Sequence, residues 1–373
     1  MKVRHIFLTS MAWFGATWGV CLHAEDELFR PIYLAEERIE APESFERMAS
    51  FNVESAQPMY APAPVTSYCQ EGWRLGVEAT FLAPMGGNQQ TWSLVNEQTS
   101  TVNSFATDAH GIEGLVPAPR FWVGYVCGNG WGVQARYWEL NTSSNYSEPF
   151  FTLGEDYGYS SSTNLEMYAF DLEVVKEFCI YDWNMVGTFG YRHALRDYNE
   201  TTNTLASINR GGGGTDLFAG TASGISLFEG DGLTFSLSGY RCSSCCYGLQ
   251  WFWNARGSVL FGDSRVGAQT SSVLNSPGGD VFQTNGGFAG DSDSLWIAEF
   301  QVGAQWSAQL KCLPGRFFVR GAFEYQYWGE VGAGAGATST AGEAGVGSLT
   351  MNSLAPNDSL DLVGFAISTG IVW

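Results

Sequence analysis

The chain has 373 residues and carries 18 Lys+Arg against 38 Asp+Glu, a formal charge of −20. Only three of the cations are lysines (Lys2, Lys176 and Lys311), so a sequence-independent nucleic-acid binder is excluded and no nucleic acid is expected as a partner. The 25 Phe, 16 Tyr and 14 Trp exclude a disordered acidic chain, and 46 Gly without a Gly-X-Y period exclude collagen.

Lys2, Arg4 and His5 precede an apolar stretch from Ile6 to about Leu22, and His23-Ala24 leads into Glu25-Asp26-Glu27. This is the pattern of a secretory signal peptide over 1–24, cut after Ala24. The stretch is too short and too interrupted by Thr9, Ser10 and Thr17 for a membrane anchor. Residues 25–68 are rich in Glu, Pro and Ala and read as an acidic periplasmic linker, with a short helix near Ala35–Ala49.

From Gly72 onward, apolar and polar residues alternate, as in strands whose two faces meet different surroundings. In the first strand Trp73, Leu75, Val77, Ala79 and Phe81 oppose Arg74, Gly76, Glu78 and Thr80. Farther on, Tyr168, Phe170, Leu172 and Val174 oppose Asp171 and Glu173, and Phe317, Val319, Phe323 and Tyr325 oppose Arg320 and Glu324. Ten strands are counted, beginning near Gly72, Pro119, Trp131, Leu165, Trp183, Gly232, Tyr247, Leu295, Arg316 and Leu360. The bounds on that count are eight and twelve, the upper one reached with extra strands such as Thr215–Phe228.

Period two suits a soluble sandwich as well as a membrane barrel. Three features favour the barrel. Short turns, as at Gly128-Asn129-Gly130 and Cys179–Asp182, alternate with long polar loops near 83–118, 141–164, 199–231, 262–293 and 330–358. Trp73, Trp131, Trp138, Trp183, Trp296, Trp306 and Trp328 stand near strand ends, as girdles do. The last strand ends on Trp373 and can close on the first, leaving no open edge in lipid. The expected fold is an all-β, antiparallel, up-and-down transmembrane β-barrel over 69–373, in the outer membrane, with short periplasmic turns and long extracellular loops.

Cys69, Cys127, Cys179, Cys242, Cys245, Cys246 and Cys312 then all fall at the periplasmic rim and are candidates for disulfides of unassigned pairing. The Cys242–Cys246 cluster lacks a second C-x-x-C, so no metal is expected there. The polar faces place Arg74, Glu78, Arg120, Arg136, Asp171, Glu173, Arg192, Arg256, Glu299, Arg320 and Glu324 in the lumen. There they either pair across strands and fill the barrel or line a water-filled path. Ten strands lie near the filled end of the size range.

Leu227–Thr234 and Gly248–Gly262, with the Arg136-Tyr137-Trp138 strand end, resemble the Legionella major outer membrane protein family of pore-forming barrels over about 70–373. The resemblance implies an outer-membrane β-barrel and pore formation, and it carries no catalytic set. The function expected is therefore a porin-like barrel for passive diffusion of small solutes or ions. The alternatives are a sealed structural or adhesive barrel acting through its surface loops, and an outer-membrane hydrolase. A hydrolase is poorly supplied, because only His110 and His193 follow the leader. No cofactor is expected. The expected partners are outer-membrane lipid and, through the C-terminal strand, the barrel-assembly machinery, with self-association left open.

Overall fold

The alternation builds strands because one face of each can be apolar and the other polar all the way across a closed sheet. The computed structural model describes residues 71–85, 90–107, 112, 114–152, 155–210, 213–242, 248–310, 315–332, 334–355 and 359–373. The signal peptide, the 25–68 linker, Cys69, Cys245, Cys246, Cys312 and His110 lie outside the described residues. Fourteen strands are described: β1 (Gly72–Met85), β2 (Gln90–Asn96), β3 (Thr101–Thr107), β4 (Val116–Val126), β5 (Trp131–Thr152), β6 (Glu155–Ile180), β7 (Trp183–Arg210), β8 (Gly214–Cys242), β9 (Leu249–Asn275), β10 (Val281–Gln309), β11 (Arg316–Trp328), β12 (Gly336–Glu343), β13 (Gly347–Leu354) and β14 (Leu360–Val372).

Ten of them close into an antiparallel barrel in the order β1-β14-β11-β10-β9-β8-β7-β6-β5-β4. The seam pairs β1 with β14, Phe81 opposite Phe365 and Leu75 opposite Ile371, and the backbones of Trp73 and Trp373 exchange hydrogen bonds of 2.7 and 3.0 Å. One end of the ring carries tight turns. Gly130, at φ +78°, closes the β4–β5 turn with a 2.8 Å bond to the Cys127 carbonyl, a conformation that favours glycine.

The other end differs from the sequence expectation. The segments read as polar loops near 141–164, 199–231 and 262–293 are extensions of the strands themselves, so that β6 to β10 run to between 26 and 29 residues. The Thr215–Phe228 segment is part of β8. A membrane crossing takes about 9–11 residues, which leaves about 60 Å of β8 standing clear. By contrast β1, β4, β11 and β14 stop after 11 to 14 residues. Above these short strands the wall is replaced by a four-stranded sheet, β12-β13-β2-β3, made from the two loops read as 83–118 and 330–358.

The outside of the barrel is apolar at the level of the short strands. Leu172 is 55% exposed, Phe235 59% and Ile367 54%, alongside exposed Val77, Phe189 and Phe323. Such a band is unstable against water and stable against hydrocarbon. Trp73, Trp131, Trp251 and Trp306 border it at the turn end. Trp138 and Trp328 are exceptions to the girdle reading: both point inward, are buried, and lie 5.8 Å apart. Their residue type suited a girdle, but their parity in the strand faces the lumen. Introducing a charge into the band, as in Leu172→Arg, is expected to cost about 2–4 kcal/mol of barrel stability, read as a lower urea midpoint in lipid vesicles.

Candidate functional site

Among the described residues, the lumen is the surface of the crossing region that carries charge in depth, and it is layered. At the turn end lies a vestibule of about 260 Å³ with Arg74, Gln134, Asn254, Gln305 and Arg320 in its wall. Arg74 pairs with Glu177. Arg320 donates to Gln305 Oε1 at 2.9 Å and stands over the Phe252 ring at 4.4 Å.

Above the vestibule the inward faces meet. Arg120, on β4, binds Glu78 of neighbouring β1 and reaches Glu324 of β11 at 2.6 Å. Arg136, on β5, reaches Glu299 of β10 at 2.6 Å. These two strands stand five places apart in the ring of ten, so this bond joins opposite walls. Arg192 of β7 also takes Glu299 at 2.7 Å and Asp171 of β6 at 2.6 Å. Arg256 of β9 binds Glu173 and lies 3.3 Å from Asp171. Gln301, on the polar face of its strand but uncharged, bridges Glu78 at 3.1 Å and Glu324 at 2.8 Å. All these side chains are buried. Burial without pairing would be prohibitive, and each charge here has a partner of opposite sign. The eleven charges expected in the lumen all face inward, but only Arg74 and Arg320 stand in the vestibule clear of the cross-lumen layer.

A second layer lies above the charges and inverts the polarity expected for a lumen. Leu82, Leu140, Leu165, Met167, Leu260 and Leu295 turn inward at full burial and pack with Trp138 and Trp328. Higher still, the tall strands and the four-stranded sheet enclose a separate core. Trp92 and Leu94 of β2 and Leu349 and Met351 of β13 pack on Ile208, Phe218, Ala222 and Leu274 of the strand extensions. A side chain at Gly220 would stand 2.5 Å from Met351 Sδ, so a larger residue there would have to displace the Met351 side chain. At the rim, Arg210 ties Asp216 of the barrel wall at 2.8 Å to Glu343 of the sheet at 2.6 Å.

Between the two apolar cores stands Glu200 of β7, 1% exposed. Burial pushes its carboxyl up to about 7, against a smaller opposing effect of Tyr198. Tyr198 and, farther along the strand, Arg196 are the nearest ionisable groups on its own face of β7, while Thr163, Gly224 and Gln90 face it from β6, β8 and β2 without charge. The folded state therefore holds a proton that the unfolded chain releases between pH 4.5 and about 7. Stability is expected to be greatest below that window and to fall through it, by about 3 kcal/mol in all. The urea midpoint measured from pH 4 to 8 in choline buffer checks this, and Glu200→Gln is expected to flatten the profile.

On the outer face, His193 stands 2.9 Å from Asp231 through Nδ1 and 3.0 Å from Tyr168 Oη through Nε2. Tyr191 also donates to Asp231. No serine, threonine or cysteine nucleophile is within hydrogen-bonding distance of His193 among the described residues. At the turn end, Cys127 and Cys179 are exposed free thiols, which corrects the disulfide expectation for these two. They sit on different turns, and Cys179 Sγ instead donates to Asn184 across its own hairpin at 3.3 Å. Cys242 ends β8, and its side chain lies outside what is described.

A closed ten-stranded sheet with an apolar outer band and a paired, buried interior defines a membrane β-barrel. No protein-family model matches the chain, and no curated protein matches it. Among solved structures it is similar to the outer membrane protease OmpT from Escherichia coli, with 10% identity, 81% of this chain and 96% of that chain covered, and a TM-score of 0.35. It is also similar to the Pseudomonas putida toluene transporter TodX (9% identity, 80% and 90% covered, TM-score 0.24) and to a Pseudomonas aeruginosa FadL homologue (10%, 80% and 89%, 0.21). At these scores the likenesses add nothing to the ring read from the strand pairing.

Proposed function

We propose that the chain is a sealed outer-membrane barrel that works through the structured head raised by its long strands. The short turns then face the periplasm and the head faces outward. The observation that supports this most is the 2.6 Å bond between Arg136 and Glu299, which joins opposite walls of the lumen. A passive pore, the function implied by the family resemblance, needs both that layer and the Trp138–Trp328 layer above it to part. The head is also equipped for contact: Phe282 and Phe288 on β10 are exposed near its tip, as adhesive surfaces require. A hydrolase is less well served, because the neighbours of His193 are Tyr168, Glu229 and Asp231.

Conductance of the purified protein in a planar bilayer tests the reading, with insertion verified by protease protection. A silent bilayer is the expected result. Discrete, reproducible steps at moderate voltage would overturn the seal and restore the pore.

A further inference from the structure

The vestibule below the paired layer is unevenly charged. Outside that layer its wall carries Arg74, Arg316 and Arg320 against Glu177 alone. The layer itself sets Glu78, Asp171, Glu173, Glu299 and Glu324 against Arg120, Arg136, Arg192 and Arg256. It therefore takes up one of the vestibule's positive charges, and Glu177 takes Arg74. One positive charge is left over, in a chain whose formal charge is −20. Arg320 has no carboxylate at ion-pair distance among the described residues. Its Nε and Nη2 donate to Gln305 Oε1 at 3.3 and 2.9 Å, and Nη2 also donates to Tyr240 Oη at 3.3 Å. The carboxylates nearest to it by register, Glu78 and Glu324, are held by Arg120 and Gln301. Nη1 has no partner among the described residues, and Tyr240, which accepts from Arg320, keeps its own hydroxyl proton to donate.

The wall beside Arg320 is aromatic. Gly76 and Gly370 stand opposite each other on β1 and β14. The rings of Trp122 and Phe318 lean over this pair from either side, so close that a Cβ would stand 2.1 Å from the first ring and 2.5 Å from the second. The two rings are stacked, 6.4 Å apart at 23°, which leaves a flat apolar surface. The Arg320 guanidinium stands 5.5 Å from the Phe318 ring. Asn254 and Gln250 bring amides to the same chamber. A volume of about 260 Å³ lies below the range of drug-sized pockets and restricts the guest to a small molecule.

We propose that the vestibule binds a small organic monoanion, a carboxylate on a flat apolar body. One carboxylate oxygen takes Arg320 Nη1 and the other takes the Tyr240 hydroxyl, while the body lies against Trp122 and Phe318. With the turns facing the periplasm, the guest enters from that side. The site stands whether or not the lumen above it is sealed.

The test is ¹⁹F NMR of 4-fluorobenzoate with the full-length protein in a zwitterionic detergent at pH 7.5. Saturable line broadening is expected, with a dissociation constant of about 1 mM. Benzoate should reverse it, and benzamide, which has the same shape without the charge, should be at least about tenfold weaker. In Arg320→Gln the affinity should fall about tenfold or more. Absence of broadening would overturn the site, as would equal displacement by benzamide or broadening that persists unchanged in Arg320→Gln. Displacement by chloride at the same concentration as benzoate would overturn the organic guest and leave a simple anion site. Should Arg320→Gln fail to assemble, Ser238→Phe decides, because Ser238 lines the chamber and a ring there fills it: loss of broadening supports the site and unchanged broadening overturns it.

Discussion

Replacing Glu299 by alanine is expected to be the most damaging single change in the crossing region, lowering barrel stability by about 3–5 kcal/mol. Glu299 takes Arg136 at 2.6 Å and Arg192 at 2.7 Å, and Arg120 lies 3.8 Å away. Without it, Arg136 keeps only Asp171 at 3.6 Å, and Asp171 already serves Arg192 and Arg256. The loss arises less from missing attraction than from guanidinium charge left in a buried layer. It is measured as the temperature at which the folded band disappears in unheated gel electrophoresis, or as a urea midpoint in vesicles. Replacing Glu299 and Arg136 together should restore part of the loss, because the charge and its partner leave as a pair. A double variant no better than Glu299→Ala would show that the two do not act as a unit.

Trp92→Ala is expected to act elsewhere, releasing the head while leaving the crossing strands intact. Trp92 is 1% exposed at the centre of the upper core, edge-on to Tyr157 at 5.8 Å, in contact with the cluster of Phe218, Leu349 and Met351. Removing so large a buried ring costs about 3–5 kcal/mol, which for a four-stranded sheet held by one face is a large share of its attachment. Amide exchange should rise in β2, β3, β12 and β13, and protease should cut there, while the ladders from β1 to β14 around the ring keep their protection. Uniform loss of protection would mean that head and barrel unfold as one unit.

The sequence disclosed the faces of the strands more fully than their lengths. Contrast between neighbours marks a strand only where its two sides meet different media. Along Phe170, Leu172 and Val174 the outside is lipid and the contrast is sharp. Higher up, along Asn199, Thr201 and Asn203, the outside is water, and polar residues stand on both faces, so β7 read there as a loop. The apolar middle layer was hidden for a related reason. Leu165 and Met167 have the parity of Asp171 and Glu173, and an alternation that assigns polar residues to the interior has no place for them. Trp138 and Trp328 went astray through the same rule. The head sheet was the least legible part, since β2 finds its partner in β13, far along the chain, and the stretch rich in Gly and Ala before β12 has no periodicity strong enough to announce a strand. Gln301 shows its inward parity in the sequence but not its bridging role, and Glu200, in a stretch read as loop, emerges only from what surrounds it.

The ladder between β2 and β13 sets Trp92 opposite Met351, as the seam sets β1 opposite β14. The chain is thus buckled twice, once at membrane level and once in the head, and both clasps join segments near its two ends. Neither can fasten until nearly everything between them is in place. These are the contacts of greatest sequence separation in the molecule, and closing them is the slow part of assembly. A nascent barrel would accordingly remain open at the β1–β14 seam to the last, its ten strands already laid side by side, and the final stitch would fix barrel wall and surface relief together.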